Sequence, residues 1–553
     1  MTRLAALILA IVALCPPLAA RETVEASVAE AISITVYRDP DRGQWSEMNR
    51  DMPRGFAMIS ETRTVTLPKG ESTIRFDGVA EGMVGVTAIV TGLPGGTIEK
   101  NRNAEILSPA ALVNGALGNR VTITRTNPAT GKTDSASAIV RTRADGGLVL
   151  QTGEGFEAVR CAGLPEKLTF DRVPDGLSAK PVFSIDTSDP VGGTYQVTLT
   201  YLAWGFDWQA NYVATLGEGN GGGKGGGKGD GTFTMRLLSW LTVLNDNGQS
   251  FVDADLQVVA GTLNVTSNFR ALSQAPRGEP LRLTCYPIGS TAQGSPVPYY
   301  DRDRSPGRPM PPPPAMASFA DSIVVTGARL QREKMETAAP VAVVSAEEED
   351  LGDLKLYRVP MQVTVAAKGL KQVAFLNKDE VEARFVYTFR CEGDLAFLPE
   401  DEGGLFQPAQ MLLVTKNETE KGLGVALPLG SLTVFEPGGN GIQLVSEISL
   451  RDYAVNQDVE LEIGRSSQVF AQCRRLGPQP DEDRPNRWRT IRTAITNAND
   501  HSIRVWVPVA IAGSTEARWR GKEQKLKDGT WIVELDLPAN SRREYDWQSR
   551  YTR

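Results

Sequence analysis

The chain has 553 residues, with 59 Lys and Arg against 66 Asp and Glu and a net charge of −7. At roughly 150 residues per domain, this length predicts about three or four domains with cores of their own. A mildly acidic chain without a basic tract argues against nucleic acid as a partner. The only histidine is His501, which excludes a zinc site made of several histidines.

The first 20 residues are typical of a secretory signal peptide. They contain Arg3, an apolar run over residues 4–14 and the small-residue sequence that ends at Ala20. The run is shorter than the ~20 apolar residues that a bilayer-spanning helix needs, and no later stretch approaches that length. We therefore expect the rest of the chain to be secreted across the inner membrane, to the periplasm or the outer membrane, without a transmembrane span.

Four cysteines follow the leader: Cys161, Cys285, Cys391 and Cys473. In an exported protein they allow one or two disulfides, and the sequence does not choose between the three full pairings and free buried thiols. The chain has no Cys-x-x-Cys or Cys-x-x-His spacing, so these cysteines do not predict a metal site.

Short runs of alternating apolar and polar residues, bounded by Gly, Pro, Asn and Asp, predict an all-β, multidomain chain of small antiparallel β-sandwich and barrel-like units. The sequence has no sustained apolar period of 3.6 residues, so it does not predict long helices. The predicted units are an N-terminal β domain (28–105), a small barrel-like unit (106–178), a central β domain in two parts (179–286 and 351–474) and an immunoglobulin-like β-sandwich (475–553). In the last unit one strand face carries Ile503, Val505, Val507, Val509 and Ile511.

Two segments are predicted to lie outside any core. Residues 217–231 include ten glycines in fifteen positions, which predicts a flexible hairpin loop. The tract fits the G-x-G-x-x-G pattern, but no helix follows, so it does not predict a nucleotide site. Residues 287–350 are rich in Pro, Asp and Arg and predict a disordered linker.

Trp204, Phe206 and Trp208 are spaced by two, so an extended chain points all three to one face. Such a stripe is either an aromatic platform for sugar rings or part of a sheet core, and the core interpretation is favoured. Trp240 is expected to belong to the same core.

The remaining polar patterns predict ordinary turns and loops. Residues 245–248 (Asn-Asp-Asn-Gly) resemble part of a calcium loop but lack its bidentate Glu, and they predict a hairpin turn. The acidic runs 347–350 and 481–483 are expected in solvated loops, and His501 in a surface turn. We predict no catalytic, cofactor-binding or metal-binding residue, and no enzyme activity.

Several passages resemble the domain-of-unknown-function family 4139, the mucoidy-inhibitor-like exported β proteins. The passages are residues 199–201 with 208–212, residues 243–261, residues 353–373, residues 422–435 with Gly464, and the strand ends near Asn497 and Asn540. The resemblance covers roughly residues 180–550, and loosely residues 30–105. This chain lacks the long coiled coil that members often carry, and it adds the glycine tract and the 287–350 segment. The resemblance implies a β-rich envelope protein and supplies no catalytic residues.

Residues 321–347 are similar to the N-terminal segment of TonB-dependent receptors, although the rest of the plug and the barrel of those receptors are absent. Within it, Ile323, Val324, Val325, Thr326 and Gly327 form a β-prone run in a charged setting. Such a run can add a strand to a partner's sheet, here that of a TonB-type energy-transducing protein. The alternatives are a strand that pairs inside this protein and a linker with no partner.

The sequence favours an exported, non-enzymatic envelope protein with a structural or protein-interaction role, bound to other envelope proteins. A carbohydrate- or polymer-binding envelope protein is the alternative, and a hydrolase with an unrecognised pair of carboxylates is a third hypothesis. Neither the oligomeric state nor the specific partner is predicted.

Overall fold

The computed structural model describes residues 21–103, 106–127, 130–143, 148–159, 166–174, 177–217, 231–273, 278, 281, 346–390, 405–438, 441–477 and 486–552. The predicted signal peptide, the glycines of residues 218–230, the acidic run 481–483 and nearly all of the predicted linker lie outside these residues. Cys161, Cys285 and Cys391 also lie outside them.

Within its described residues, the first half of the chain forms sixteen strands and two short α-helices, with a 3-10 helix at Gly85–Thr87. The strands are β1 (Glu22–Glu25), β2 (Ala31–Tyr37), β3 (Phe56–Leu67), β4 (Gly70–Asp77), β5 (Ile89–Thr91), β6 (Glu99–Arg102), β7 (Arg120–Thr126), β8 (Thr133–Val140), β9 (Val149–Thr152), β10 (Gly155–Ala158), β11 (Glu166–Phe170), β12 (Val182–Asp189), β13 (Gly193–Trp204), β14 (Phe206–Leu216), β15 (Thr232–Asn245) and β16 (Phe251–Ala260). The helices are α1 (Pro109–Gly115) and α2 (Phe269–Ser273).

The described residues of the second half form fourteen strands, with a 3-10 helix at Thr419–Lys421. They are β17 (Glu347–Leu351), β18 (Leu354–Arg358), β19 (Val363–Val365), β20 (Gly369–Thr388), β21 (Gln407–Lys416), β22 (Gly430–Gly438), β23 (Gly441–Leu450), β24 (Asp458–Leu476), β25 (Arg489–Asn497), β26 (Ile503–Ile511), β27 (Thr515–Arg518), β28 (Gln524–Lys527), β29 (Thr530–Leu537) and β30 (Ser541–Tyr551). The all-β prediction is therefore confirmed.

The chain divides into two compact units. The first comprises residues 1–104, 180–276 and 343–553, and the second comprises residues 105–179 and 277–342. The described part of the second unit is a five-stranded antiparallel sheet in the order β10-β9-β8-β7-β11, with α1. Its core includes Val121, Ile123 and Leu150. Ser108 starts α1 by accepting a hydrogen bond from the Ala111 N–H at 3.2 Å.

The part of the first unit that the structure describes contains three sheets. One is four-stranded, in the order β1-β4-β12-β6, and one is eight-stranded, in the order β17-β18-β16-β2-β3-β13-β5 with β19 beside β16. The third has thirteen strands, in the order β23-β22-β14-β15-β20-β21-β24-β25-β30-β27, with β26, β28 and β29 joined through β20. Most pairs are antiparallel, but β2 with β16, β14 with β22, β1 with β4 and β20 with β26 are parallel.

One hydrophobic core joins the four-stranded, eight-stranded and thirteen-stranded sheets and includes Ile34, Phe76 and Ile463. A second core lies under the C-terminal strands and contains Val505, Val507 and Trp547. Alternate residues of β26 supply side chains to this second core, where Ile503, Val505, Val507 and Val509 are buried. Ile511 is exposed instead, beyond a register shift between Pro508 and Ala510.

Two local predictions are wrong. The acidic run 347–350 was expected in a loop, but it forms most of β17 and pairs with β18. Lys355 offsets its charge by pairing with Glu348 at 3.1 Å and with Asp350. Residues 245–248 were expected in a hairpin, but they connect β15 and β16, which belong to different sheets. The buried Asn245 amide stabilises this connection by donating to the carbonyls of Gln249 and Ala366, at 2.9 and 3.1 Å.

Candidate functional site

The aromatic stripe does not lie on one continuous strand. Trp204 ends β13 in the eight-stranded sheet, and Phe206 begins β14 in the thirteen-stranded sheet. Gly205 connects them with a φ of +90°, a left-handed conformation that glycine adopts without strain. Phe206 and Trp208 are buried and Trp204 is half-buried. A stacking platform needs exposed ring faces, and Phe206 and Trp208 instead belong to the main hydrophobic core, whereas Trp204 is not part of it.

The opposite side of β14 is also covered at this point. Asp207 is buried and makes an ion pair with the buried Arg42. Its Oδ1 atom accepts hydrogen bonds from the backbone N–H groups of Trp208 and Asp39, at 2.8 and 3.2 Å. Burial raises the pKa of Asp207 to about 6, against the attraction of Arg42. This buried cluster fixes the loop after β2 onto β14, which is a structural role.

Trp240 was expected in the same core, and that prediction is wrong. It is 43% exposed on the outer face of β15, opposite Asn211 of β14. Both faces of β15 carry apolar side chains: Leu237 and Leu241 point to the core, whereas Leu238 and Trp240 do not. The sequence pattern of β15 therefore does not indicate which of its two faces is buried.

A ladder of polar side chains crosses four strands on the Trp240 face. The Asn211 amide donates to Ser431 Oγ at 2.8 Å, and Thr242 Oγ1 donates to Asn211 Oδ1 at 2.8 Å. Gln372 Nε2 in turn donates to Thr242 Oγ1 at 3.3 Å. An exposed tryptophan beside ordered amides and hydroxyls offers an apolar surface and hydrogen-bonding groups together.

The first strand in the order of the thirteen-stranded sheet is β23. Along its outer edge β23 has no strand partner among the described residues, since it pairs with β22 alone. Ile442 and Leu444 are 63% and 64% exposed. Leu444 lies opposite Phe435 of β22, so the two side chains share one face of the sheet. An open edge with apolar side chains is a template for the addition of another strand.

His501, the cysteines and residues 323–327 were also named from the sequence, and the structure describes only some of them. His501 is exposed in the turn before β26, as predicted, and its Nδ1 atom lies 3.0 Å from Asp500 Oδ1. Cys473 is disulfide-bonded, and its partner is a cysteine outside the described residues. Ile323, Val324, Val325, Thr326 and Gly327 lie outside the described residues, so docking through them stays a prediction.

Within the described ranges, no three His, Cys, Asp or Glu side chains are grouped as metal ligands would be. None of the helices in that part of the chain has the length and apolar character needed to cross a bilayer. Comparisons with known proteins found no protein-family model that matches the chain and no curated protein that is similar to it.

Proposed function

We propose that this chain is an exported, non-enzymatic, β-rich protein of the cell envelope, which binds a partner protein through the outer edge of β23. The observation that carries the proposal is the exposure of Ile442 and Leu444 on a strand whose outer edge is open among the described residues. Soluble proteins usually protect such edges with charges, prolines or bulges. Here the exposed half of β23, residues 441–445, carries no charge, and one register shift, between Val434 and Phe435, skips Val445 in the pairing.

The partner that fits this edge is an extended peptide segment with alternating apolar side chains. Its backbone would extend the β-ladder beyond β23, and its side chains would lie beside Leu444 and Ile442. Phe435 and Pro437 of β22 widen the same apolar strip, because they lie opposite Leu444 and Ile442.

Photocrosslinking in cells tests this binding mode. A benzoyl-phenylalanine at position 444 should give an adduct with one envelope protein, joined through an extended segment that mass spectrometry identifies. The matched control is position 526, where the native leucine is 55% exposed but lies on another strand. The change Ile442→Lys should reduce the adduct formed from position 444, because it places a charge on the edge. Equal adducts from both positions, or none from position 444, would contradict the proposal.

Export is supported by two features. The leader-like sequence of residues 1–20 predicts secretion, and the disulfide of Cys473 is a bond that persists in oxidising compartments. Thiol trapping in intact cells tests export: Cys473 should react with a maleimide only after reduction. In a chain that lacks residues 1–20 and stays in the cytoplasm, Cys473 should react directly.

The exposed Trp240 favours a second candidate function, the binding of a carbohydrate or another polymer. The indole of Trp240 is 43% exposed beside Asn211, and an exposed indole offers an apolar surface on which a sugar ring can stack. Co-sedimentation with insoluble cell-wall glycan tests this candidate. Trp240→Ala should abolish binding, whereas Phe156→Ala, at an aromatic residue that is 72% exposed in the second unit, should not.

The segment around Ile323 suggests a second partner protein. We propose that residues 323–327 dock on a TonB-type energy-transducing protein by strand addition. A peptide of residues 318–347, titrated against a purified TonB C-terminal domain, should shift peptide resonances only at these five residues. Val324→Pro should abolish the shifts, and an absence of shifts at high peptide concentration would remove this partner.

A further inference from the structure

Cys473 of β24 is disulfide-bonded, and no other cysteine lies among the described residues. Cys15 belongs to the leader that export is predicted to remove. The partner within the mature chain is therefore Cys161, Cys285 or Cys391. Because the two Cα atoms of a disulfide lie only about 4–7 Å apart, the described residues beside each cysteine limit which of them can reach Cys473.

The two compact units divide the four cysteines of the mature chain into two pairs. Cys391 and Cys473 belong to the first unit. Cys161 and Cys285 belong to the second unit, one in each of the two chain segments that form it. Of the three full pairings that the sequence allows, only one keeps both disulfides inside a unit.

In the first unit, the end of β20 leads to the core on which Cys473 packs. Phe389, directly after β20, is buried in the core under the C-terminal strands, and Cys473 packs against that same core. Both β20 and β24 pair antiparallel with β21, so they run parallel to each other and their chains advance in the same direction. Cys391 follows Phe389 by two residues, which span at most ~7 Å of extended chain. Cys391 is therefore within reach of the core that Cys473 contacts.

In the second unit, described residues near both remaining cysteines pack on one core. Val159 and Leu281 are half-buried against the core of the five-stranded sheet. Cys161 follows Val159 by two residues, at most ~7 Å of extended chain. Cys285 follows Leu281 by four residues, at most ~14 Å. Both thiols are therefore within reach of the same core, although they come from different segments of the chain.

We propose that the mature chain carries one disulfide in each unit. Cys391 pairs with Cys473 and ties the end of β20 to β24. Cys161 pairs with Cys285 and joins the two chain segments that build the second unit. Each bond forms by thiol–disulfide exchange: two thiols lose two protons and two electrons, and the disulfide of an oxidant, such as oxidised glutathione, is reduced to two thiols. Neither bond involves β23, so this proposal and the proposed binding mode stand or fall separately.

Peptide mapping of the whole mature chain, oxidised with glutathione, tests the pairing. Free thiols are blocked with N-ethylmaleimide, the chain is digested without reductant, and mass spectrometry identifies the linked peptides. The digest should contain one linked pair with Cys391 and Cys473 and one with Cys161 and Cys285, and reductant should separate both. A link between a cysteine of one unit and a cysteine of the other, or a disulfide-linked dimer, would overturn the proposal. Blocked thiols at either expected pair would overturn the assignment of that pair.

Serine variants give an independent readout, because the loss of one cysteine frees only its partner. Cys391→Ser should add one maleimide-reactive thiol, at Cys473, whereas Cys161→Ser should add one at Cys285. A free Cys285 in Cys391→Ser would contradict the pairing. The double variant Cys391→Ser with Cys473→Ser leaves no unpaired thiol and should keep the link between Cys161 and Cys285, so the test holds if a single variant misfolds. The matched control is Cys15→Ser in the precursor, which should leave every peptide of the mature chain unchanged.

Discussion

Two tryptophans on the thirteen-stranded sheet have opposite environments. Trp208 is buried in the main core, where its Nε1–H donates to the Val259 carbonyl at 3.2 Å, and Trp240 lies half in solvent. Trp208→Ala should reduce the free energy of unfolding by about 3–5 kcal/mol, as large-to-small core substitutions do. Trp240→Ala should cost less than about 1 kcal/mol. Urea unfolding compares them, and a smaller loss for Trp208→Ala than for Trp240→Ala would contradict the placement of both side chains.

The buried Asp207 predicts a pH dependence. Its pKa rises from 3.8 to about 6 on folding, so its contribution to stability is complete at pH values below its unfolded pKa and is lost as the pH rises through 6. Relative to Asp207→Asn, wild type should therefore gain about 1 kcal/mol of unfolding free energy between pH ~7 and pH ~5. Urea unfolding of both proteins at the two pH values measures this. A relative loss for wild type over that interval would show that the pKa is not raised.

At the scale of single elements, Cys473 of β24 makes both a disulfide bond and a contact with the neighbouring strand β25. Its sulfur is in a disulfide and lies 3.6 Å from Oγ1 of the buried Thr493 on β25, which accepts a hydrogen bond from Trp547 Nε1 at 2.9 Å. Cys473→Ser should reduce the free energy of unfolding by about 2–5 kcal/mol. Unfolding with and without reductant checks this, because reduction should destabilise wild type more than the variant. An equal effect of reductant on both proteins would exclude a stabilising role for this disulfide.

The positions of many strands could be predicted from the sequence, but the strands with which they pair could not. Alternation placed residues 195–201 within β13 and residues 503–509 within β26, because period-two patterns are local. However, Ile34 pairs with Leu256, and Ala210 pairs with Gly430, in parallel registers between strands far apart in the chain. No local pattern encodes such pairings. For the same reason no sequence pattern shows that Arg384 of β20 and Trp506 of β26 line one cavity, because the two strands pair across more than one hundred residues of chain.

On the scale of the whole molecule, the segment between β6 and β12 is an insertion into the first unit. The Asn103 N–H donates to the Val182 carbonyl at 3.2 Å, so the two ends of the segment lie side by side in the four-stranded sheet. Replacement of residues 105–179 by a short Asn-Gly turn should leave the first unit folded, because closing a shorter loop costs less entropy. Circular dichroism and thermal unfolding measure this. The matched control also removes β6, and it should unfold at a lower temperature.

The central claim is that the outer edge of β23 is open to a partner strand. Residue-resolved amide hydrogen exchange of the isolated mature chain tests it most directly. Over residues 441–444, which precede the register shift at Val445, amides that point to β22 should be protected and those that point away should exchange rapidly, in alternation. Uniform protection along both edges of β23 would show that another part of the chain already covers it, and would contradict the proposed binding mode.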